Sequence, residues 1–186
     1  MTNGGSIYLN GYTLKTTENT YMEDGYLKLE GGSLIVGKDL NMKNYSSIAM
    51  YEGDNKIIVN RDLNVKNYSS IMMYSRDNKI IVNRDLNMND YSHLGISSDN
   101  KIVINRKVNL GNKQFAPMSG IMEIKGNLST KLKDGSECSF IGTSSFCLLF
   151  SGKEPQKINL SDKSYLENVE FRNTSEEGIV LEEPLN

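Results

Sequence analysis

A block of about 23 residues recurs almost unchanged through the middle of the chain, and this repetition constrains the fold more than any other feature. KDLNMKNYSSIAMYEGDNKIIVN starts at Lys38, RDLNVKNYSSIMMYSRDNKIIVN at Arg61 and RDLNMNDYSHLGISSDNKIVIN at Arg84. These starts are 23 residues apart, and the next unit starts at Arg106 after a step of 22. A fixed period of this size is the signature of a repeat architecture. The register extends outward in weaker form. Leu34, Val36 and Leu40 fall on the positions of Ile57, Val59 and Leu63, and Met122, Ile124 and Leu128 fall on the same columns after a shortened step of 20.

Each unit contains three short apolar runs separated by Asn, Asp, Ser or Gly, and each run is too short for a helix. Leu63 and Val65 are apolar while Asn64 and Lys66 are polar, the period of a strand with one face inside. Comparing units assigns the other faces. The columns Ile48, Ile71, Leu94 and Met50, Met73, Ile96 stay large and apolar, and so point inward. Between them Ala49, Met72 and Gly95 vary in volume as close-packed core positions do not, and so point outward. Ile57, Ile80, Ile102 and Val59, Val82, Ile104 are interior columns. Ile58, Ile81 and Val103 face out, because Glu123 occupies their position downstream.

Three strands per unit with no room for a helix describe one coil of an all-β, single-stranded parallel β-solenoid (β-helix) with about 22–23 residues per coil. Coils stack about 4.8 Å apart, so roughly eight of them make a rod about 35–40 Å long. Equivalent residues then lie above one another. Asn41, Asn64, Asn87 and Asn109 form one amide ladder, Asn60, Asn83 and Asn105 another, and Tyr45, Tyr68 and Tyr91 an aromatic stack. The composition, with 22 Asn, 20 Ser, 16 Gly and no Trp, suits turns and polar ladders. An up-and-down β-sandwich would need hairpin turns, and the two-residue signals for them are scarce. The expected organisation is a single domain over 1–186: irregular N-terminal coils at 1–33, regular repeats at 34–128 and divergent coils at 129–186.

In order along the chain, GSIYLNGYTL at 5–14, YLKLEGGSLIV at 26–36, the DLN-type repeats and GIMEIKGNL at 120–128 resemble a β-solenoid repeat module of large bacterial secreted and surface proteins. LLFSGKEPQKINL, with its Gly then Gln-x-Ile strand, and SYLENVEFRNTSEEGIVLEEPLN, with its GIVL strand, resemble that module's ending. The resemblance implies a parallel β-helix, an extracellular or cell-surface setting, and no catalytic residue to carry over. The start, MTNGGSIYLN, shows no signal peptide. The chain stops at Pro184-Leu185-Asn186, where another strand is expected, so a longer parent protein is expected.

Charge and motifs narrow the function classes. The net charge of −2 gives no basic surface for nucleic acid, and no run approaches a membrane span. Two cysteines and one histidine leave little for a metal site, and no glycine-rich phosphate loop or nucleophile elbow appears. No catalytic residue, metal or cofactor is expected. Asp54, Asp77 and Asp99 form a column read as Asx-turns rather than calcium ligands or glycosidase carboxylates. Asp39, Asp62 and Asp85 form another, beside Lys38, Arg61 and Arg84, read as a solvated corner whose cations offset the stacked like charges. His93 is expected to point outward without a role. Cys138 and Cys147 are read as buried thiols, with a disulfide as the alternative.

One surface feature stands out. Ile35, Ile58, Ile81 and Val103 form an outward aliphatic stripe, and Tyr51, Met72 and Tyr74 face out on the neighbouring strand. Solvent-facing apolar rows of this kind mark covered or contacted surface. Tyr51, Met72, Tyr74, Ile58, Ile81 and Val103 are therefore the candidate binding surface. The expected occupants are the chain's own C-terminal segment or a flanking loop over the aliphatic row, a protein partner or self-association through that stripe or through the open solenoid edge, and a carbohydrate ligand whose sugar rings lie on the tyrosines. The expected function is a non-catalytic structural or adhesive module, with a carbohydrate-binding module, and then a polysaccharide-active β-helical enzyme, as the alternatives.

Overall fold

The computed structural model describes residues 4–182, so the expected strand at Pro184–Asn186 lies outside the described residues. The chain is an all-β parallel solenoid of about eight coils. Three walls run along its axis. The first is formed by Ser6–Tyr8, Tyr26–Leu29, Ser47–Met50, Ser70–Met73 and His93–Gly95. The second has eight strands: Thr13–Thr16, Ser33–Val36, Lys56–Val59, Lys79–Val82, Lys101–Ile104, Gly120–Ile124, Phe146–Phe150 and Val169–Phe171. The third also has eight: Thr20–Glu23, Leu40–Lys43, Leu63–Val65, Leu86–Met88, Val108–Leu110, Leu128–Ser129, Gln156–Asn159 and Ile179–Leu181. Where the first wall stops, a small sheet of Gln114–Phe115, Ser139–Gly142 and Tyr165–Leu166 takes over that side.

Pairing is parallel and in the register of the repeat, with Ile57, Ile80 and Ile102 side by side and Leu63, Leu86 and Val108 likewise. Along the third wall the steps from Thr20 are 20, 23, 23, 22, 20, 30 and 23 residues. The early coils, expected to be irregular, already pair in register from Ser6↔Tyr26, with a 20-residue step. The later coils absorb their extra length in loops while holding the wall.

All the columns read as interior are buried, from Ile48, Ile71 and Leu94 through Val59, Val82 and Ile104. Phe140, Phe146 and Phe150 fill the wider C-terminal core. The amide ladders form as expected. The Nδ2 of Asn64 donates to Asn41 Oδ1 at 2.9 Å, Asn87 to Asn64 at 2.8 Å and Asn109 to Asn87 at 2.7 Å. Asn83 donates to Asn60 at 3.3 Å and Asn105 to Asn83 at 2.9 Å.

The two aspartate columns part company. Asp39, Asp62 and Asp85 each accept the backbone N–H of the next coil at 3.1 Å, from Asp62, Asp85 and Lys107 respectively. Arg61, Arg84 and Arg106 sit 3.3–3.5 Å from the same carboxylates, the cationic offset that the sequence suggests. At the other corner the expected aspartate turns are replaced by asparagine. Asn55, Asn78 and Asn100 are buried and reach back to main-chain carbonyls, Asn55 to Tyr51, Glu52 and Gly53, Asn78 to Ser75 and Asn100 to Ser97. A neutral amide can be buried there without the desolvation cost of a carboxylate, so Asp54, Asp77 and Asp99 stay at the rim. Both cysteines are free thiols, which removes the disulfide alternative.

Candidate functional site

The aliphatic stripe and the tyrosine face lie on different walls. On the second wall Lys15, Ile35, Ile58, Ile81, Val103, Glu123, Leu149 and Glu170 form one outward column. Ile35, Ile58 and Ile81 are half-buried by their neighbours in the stack. Val103 is 8% exposed, so it is a poor contact residue although its side chain points outward. The flanking Lys101 and Glu123 join at 2.7 Å, and Ser151 donates to the same carboxylate at 2.7 Å. Burial alone would raise the Glu123 carboxyl, but these hydrogen bonds outweigh it and hold it below the usual range. Among the described residues the C-terminal strands do not fold back over the stripe: Val169–Phe171 and Ile179–Leu181 add rungs to the second and third walls.

The first wall carries the tyrosines. Its central outward column runs Tyr8, Lys28, Ala49, Met72, Gly95, and the column beside it carries Tyr26, Ser47, Ser70 and His93. Tyr51 and Tyr74 follow the strands at one corner and stack at 4.7 Å with an interplanar angle of 16°. Tyr45, Tyr68 and Tyr91 precede the strands at the opposite corner and stack at 5.1 and 5.2 Å, nearly parallel. Thus two tyrosine ladders bracket a wall floored by small side chains, and Ala49, although outward, is only 3% exposed between its longer neighbours.

Local backbone and charge fix this face. Asn44, Tyr45, Asn67, Tyr68, Asp90 and Tyr91 all hold left-handed φ between 52° and 61°, so each corner is a pair of left-handed residues. That conformation is unfavourable for tyrosine, and the stacked rings and the Asn67→Asn44 bond at 3.2 Å offset the cost. At the other end of the wall the Lys28 ammonium lies 4.9 Å from the Tyr51 ring centroid and 6.0 Å from that of Tyr8, with Glu30 at 2.6 Å. Burial, reinforced by a hydrogen bond with Tyr51 and by nearby Tyr8 and Tyr74, pushes the Tyr26 phenol up to about 12.

The structure therefore places Tyr51, Met72 and Tyr74 together and Ile58, Ile81 and Val103 elsewhere. Tyr8, Tyr26 and Lys28 join the tyrosine face but lie outside the near-exact repeats, so column comparison does not reveal them. His93 is exposed at the last strand of this wall, as its position in the repeat suggests. Among the described residues no group of three or more His, Cys, Asp or Glu could hold a metal ion.

Fold and surface together define a parallel β-solenoid whose first wall bears a tyrosine-lined face. Comparison with models of known protein families, with curated proteins and with solved structures finds no match.

Proposed function

We propose that the chain is a non-catalytic structural and adhesive module of a bacterial cell-surface or secreted protein. The rod extends, and the first wall makes contact. The observation that carries this reading is the aromatic face itself: Tyr51 and Tyr74 stack on a wall held rigid by continuous hydrogen-bonded ladders, and Tyr74 is 53% exposed. The likeness of 5–14, 26–36 and 120–128 to bacterial surface solenoids supports the setting. Nearest-neighbour stacking spreads stability along the rod, a property suited to a stalk.

A second reading has its own observation. The coil after Tyr74 places Ser97 in that column, so among the described residues no ring covers the far side of Tyr74, and an aromatic face of this kind suits the C–H face of a sugar. On this reading the module binds carbohydrate through Tyr51 and Tyr74.

The test is incubation of the purified chain with bacterial and host polysaccharides, scoring retention and product release together. Retention without release, abolished in Tyr74→Ala with an unchanged melt, establishes the carbohydrate module. No retention on any polysaccharide, with retention on protein-coated or cell surfaces, establishes the protein-adhesive form. Release of product overturns the non-catalytic reading.

A further inference from the structure

The first wall ends abruptly, and what lies at its end differs chemically from the repeats. From Met88 to Ile102 the chain takes 14 residues around the first-wall side, but from Leu110 to Met122 it takes 12. Gly111-Asn112-Lys113 stands where earlier coils carry the tyrosine corner, so there is no fourth tyrosine rung. The strand Gln114–Phe115 does not pair with His93–Gly95 and begins a separate sheet. Between the two sheets a groove of about 570 Å³ opens, within the usual range of small-molecule sites, about 300–1,000 Å³.

The groove walls carry hydrogen-bonding groups that the protein leaves unanswered. Ser46 Oγ donates to Ser69 Oγ at 3.1 Å, but Ser92 Oγ, next in that column, is buried with no partner. Asn112 donates both amide hydrogens, to the carbonyls of Ser92 and Gln114 at 3.1 Å each, and leaves its Oδ1 buried and unpartnered. Ser161 uses its backbone N–H on Thr130 Oγ1 at 2.7 Å, while its Oγ is likewise buried and alone. All three residues are at most 4% exposed and line the same groove. Native interiors rarely leave such groups unpaired, and three at one opening call for a partner from outside. Tyr91 lines the same groove; Tyr68 covers one face of its ring, and among the described residues no ring covers the other.

We infer that this groove is a binding subsite for an uncharged sugar ring, distinct from the Tyr51–Tyr74 surface. Asn112 Oδ1 only accepts, so the ligand must donate; the two serine hydroxyls both donate and accept. A sugar's hydroxyl groups meet both demands, and its C–H face fits the face of Tyr91 that no other described ring covers. An anion would satisfy the serines but oppose Asn112 Oδ1. The rim carries both signs, Lys113 and Lys163 with Glu137, and so does not select for an anion.

The test is NMR titration of the intact chain with methyl glycosides of glucose, galactose, mannose and N-acetylglucosamine, and with a tetrasaccharide of each. Inorganic phosphate is the anion arm. The expected result is saturable shifts at Ser92, Ser161 and the Asn112 side-chain amide with at least one neutral sugar, weakened at least tenfold in Tyr91→Ala and in Ser161→Ala. Ser161→Ala removes only an unpartnered hydroxyl and should melt like the parent, which separates lost binding from lost folding. Binding of a tetrasaccharide but not its glycoside supports the subsite and assigns it to a polymer; equal binding supports it as a single-unit site. No response to any sugar, response to phosphate alone, or affinity unchanged in both variants overturns the inference. Sugar shifts lost in Tyr74→Ala but intact in Tyr91→Ala and Ser161→Ala also overturn it, while supporting the carbohydrate reading of the other face.

Discussion

The amide ladder on the third wall makes a prediction that ordinary surface hydrogen bonds would not. Three bonds link four residues: Asn64 to Asn41, Asn87 to Asn64 and Asn109 to Asn87. An interior rung takes part in two of them, as donor to the coil before and acceptor from the coil after, whereas Asn109 takes part in one. At about 1 kcal/mol net per bond, Asn109→Ala should cost about 1 kcal/mol, and Asn64→Ala or Asn87→Ala about 2 kcal/mol each. The double variant Asn64→Ala/Asn87→Ala removes three bonds, not four, because the two residues share one. Its cost should be about 3 kcal/mol, short of additivity by about 1 kcal/mol. Urea unfolding of the parent and four variants, at equal slope, measures all these terms. Equal costs at the end and the interior, or strict additivity of the pair, would refute the ladder as an energetic unit and leave it a geometric coincidence of the repeat.

Other expected outcomes follow from burial and chemistry. Leu63→Asp or Val82→Asp places a carboxylate at a site with no exposure and should cost at least about 4 kcal/mol, abolishing the native circular dichroism, while Lys66→Asp stays within about 0.5 kcal/mol; native-like melting of either core variant would sink the inside-outside assignment. In an alkaline absorbance titration the component that Tyr26→Phe removes should ionise only at about 12 and move down in Tyr51→Phe. The folded protein holds the Tyr26 proton more tightly than the unfolded chain does, so the stabilisation is intact below pH 10 and is lost as pH rises towards 12; ionisation of that component at the ordinary phenol value would contradict it. Burial pushes the Cys138 thiol up to about 12 and also raises Cys147, so a thiol reagent should modify Cys147 slowly and Cys138 only on unfolding. Rapid reaction of Cys138 in the native protein would refute its burial.

The coil and its three walls were legible because near-exact duplication turns each column into its own control. Ala49, Met72 and Gly95 could not share a packed interior, and indeed they lie on the outer face. The same comparison has a limit set by physics. Alternation tells which side of a wall a residue faces, not what the adjacent coils lay across it. Val103 and Ala49 both point out and are both buried, one beside the Lys101–Glu123 pair and one among Lys28, Tyr51 and Met72. The Asp-Asn corner failed for a different reason. Both residue types close turns through their side chains, and only burial, which penalises the carboxylate and not the amide, decides that Asn55, Asn78 and Asn100 turn inward. In the sequence Gln156 stands out only as part of a strand motif. It is fully buried and bonds to Ile124, Gly126, Gly152 and Asn173 across three coils, a role that no local pattern announces.

The direction of the ladders explains why binding-competent groups gather where they do. In the Asn41–Asn109, Asn60–Asn105 and Asn44–Asn67 ladders, each amide donates to the coil before it and accepts from the coil after it. Inside the stack every rung is therefore answered twice. When the repeat breaks on the C-terminal side, the last rung keeps its donor engaged and loses its donor from the next coil, so an oxygen acceptor is stranded. Asn105 Oδ1 is such an atom, buried without a partner where Lys125 follows in its column. At the shortened coil, Asn112 shows the same polarity, with both hydrogens engaged and its oxygen free. A perfectly repeated solenoid would have no such atoms along its length. The loss of two residues between Leu110 and Met122 thus does more than end a wall: it leaves a stranded amide oxygen, Asn112 Oδ1, in the groove that Tyr91 and Ser92 also line, an arrangement that the regular repeats do not supply.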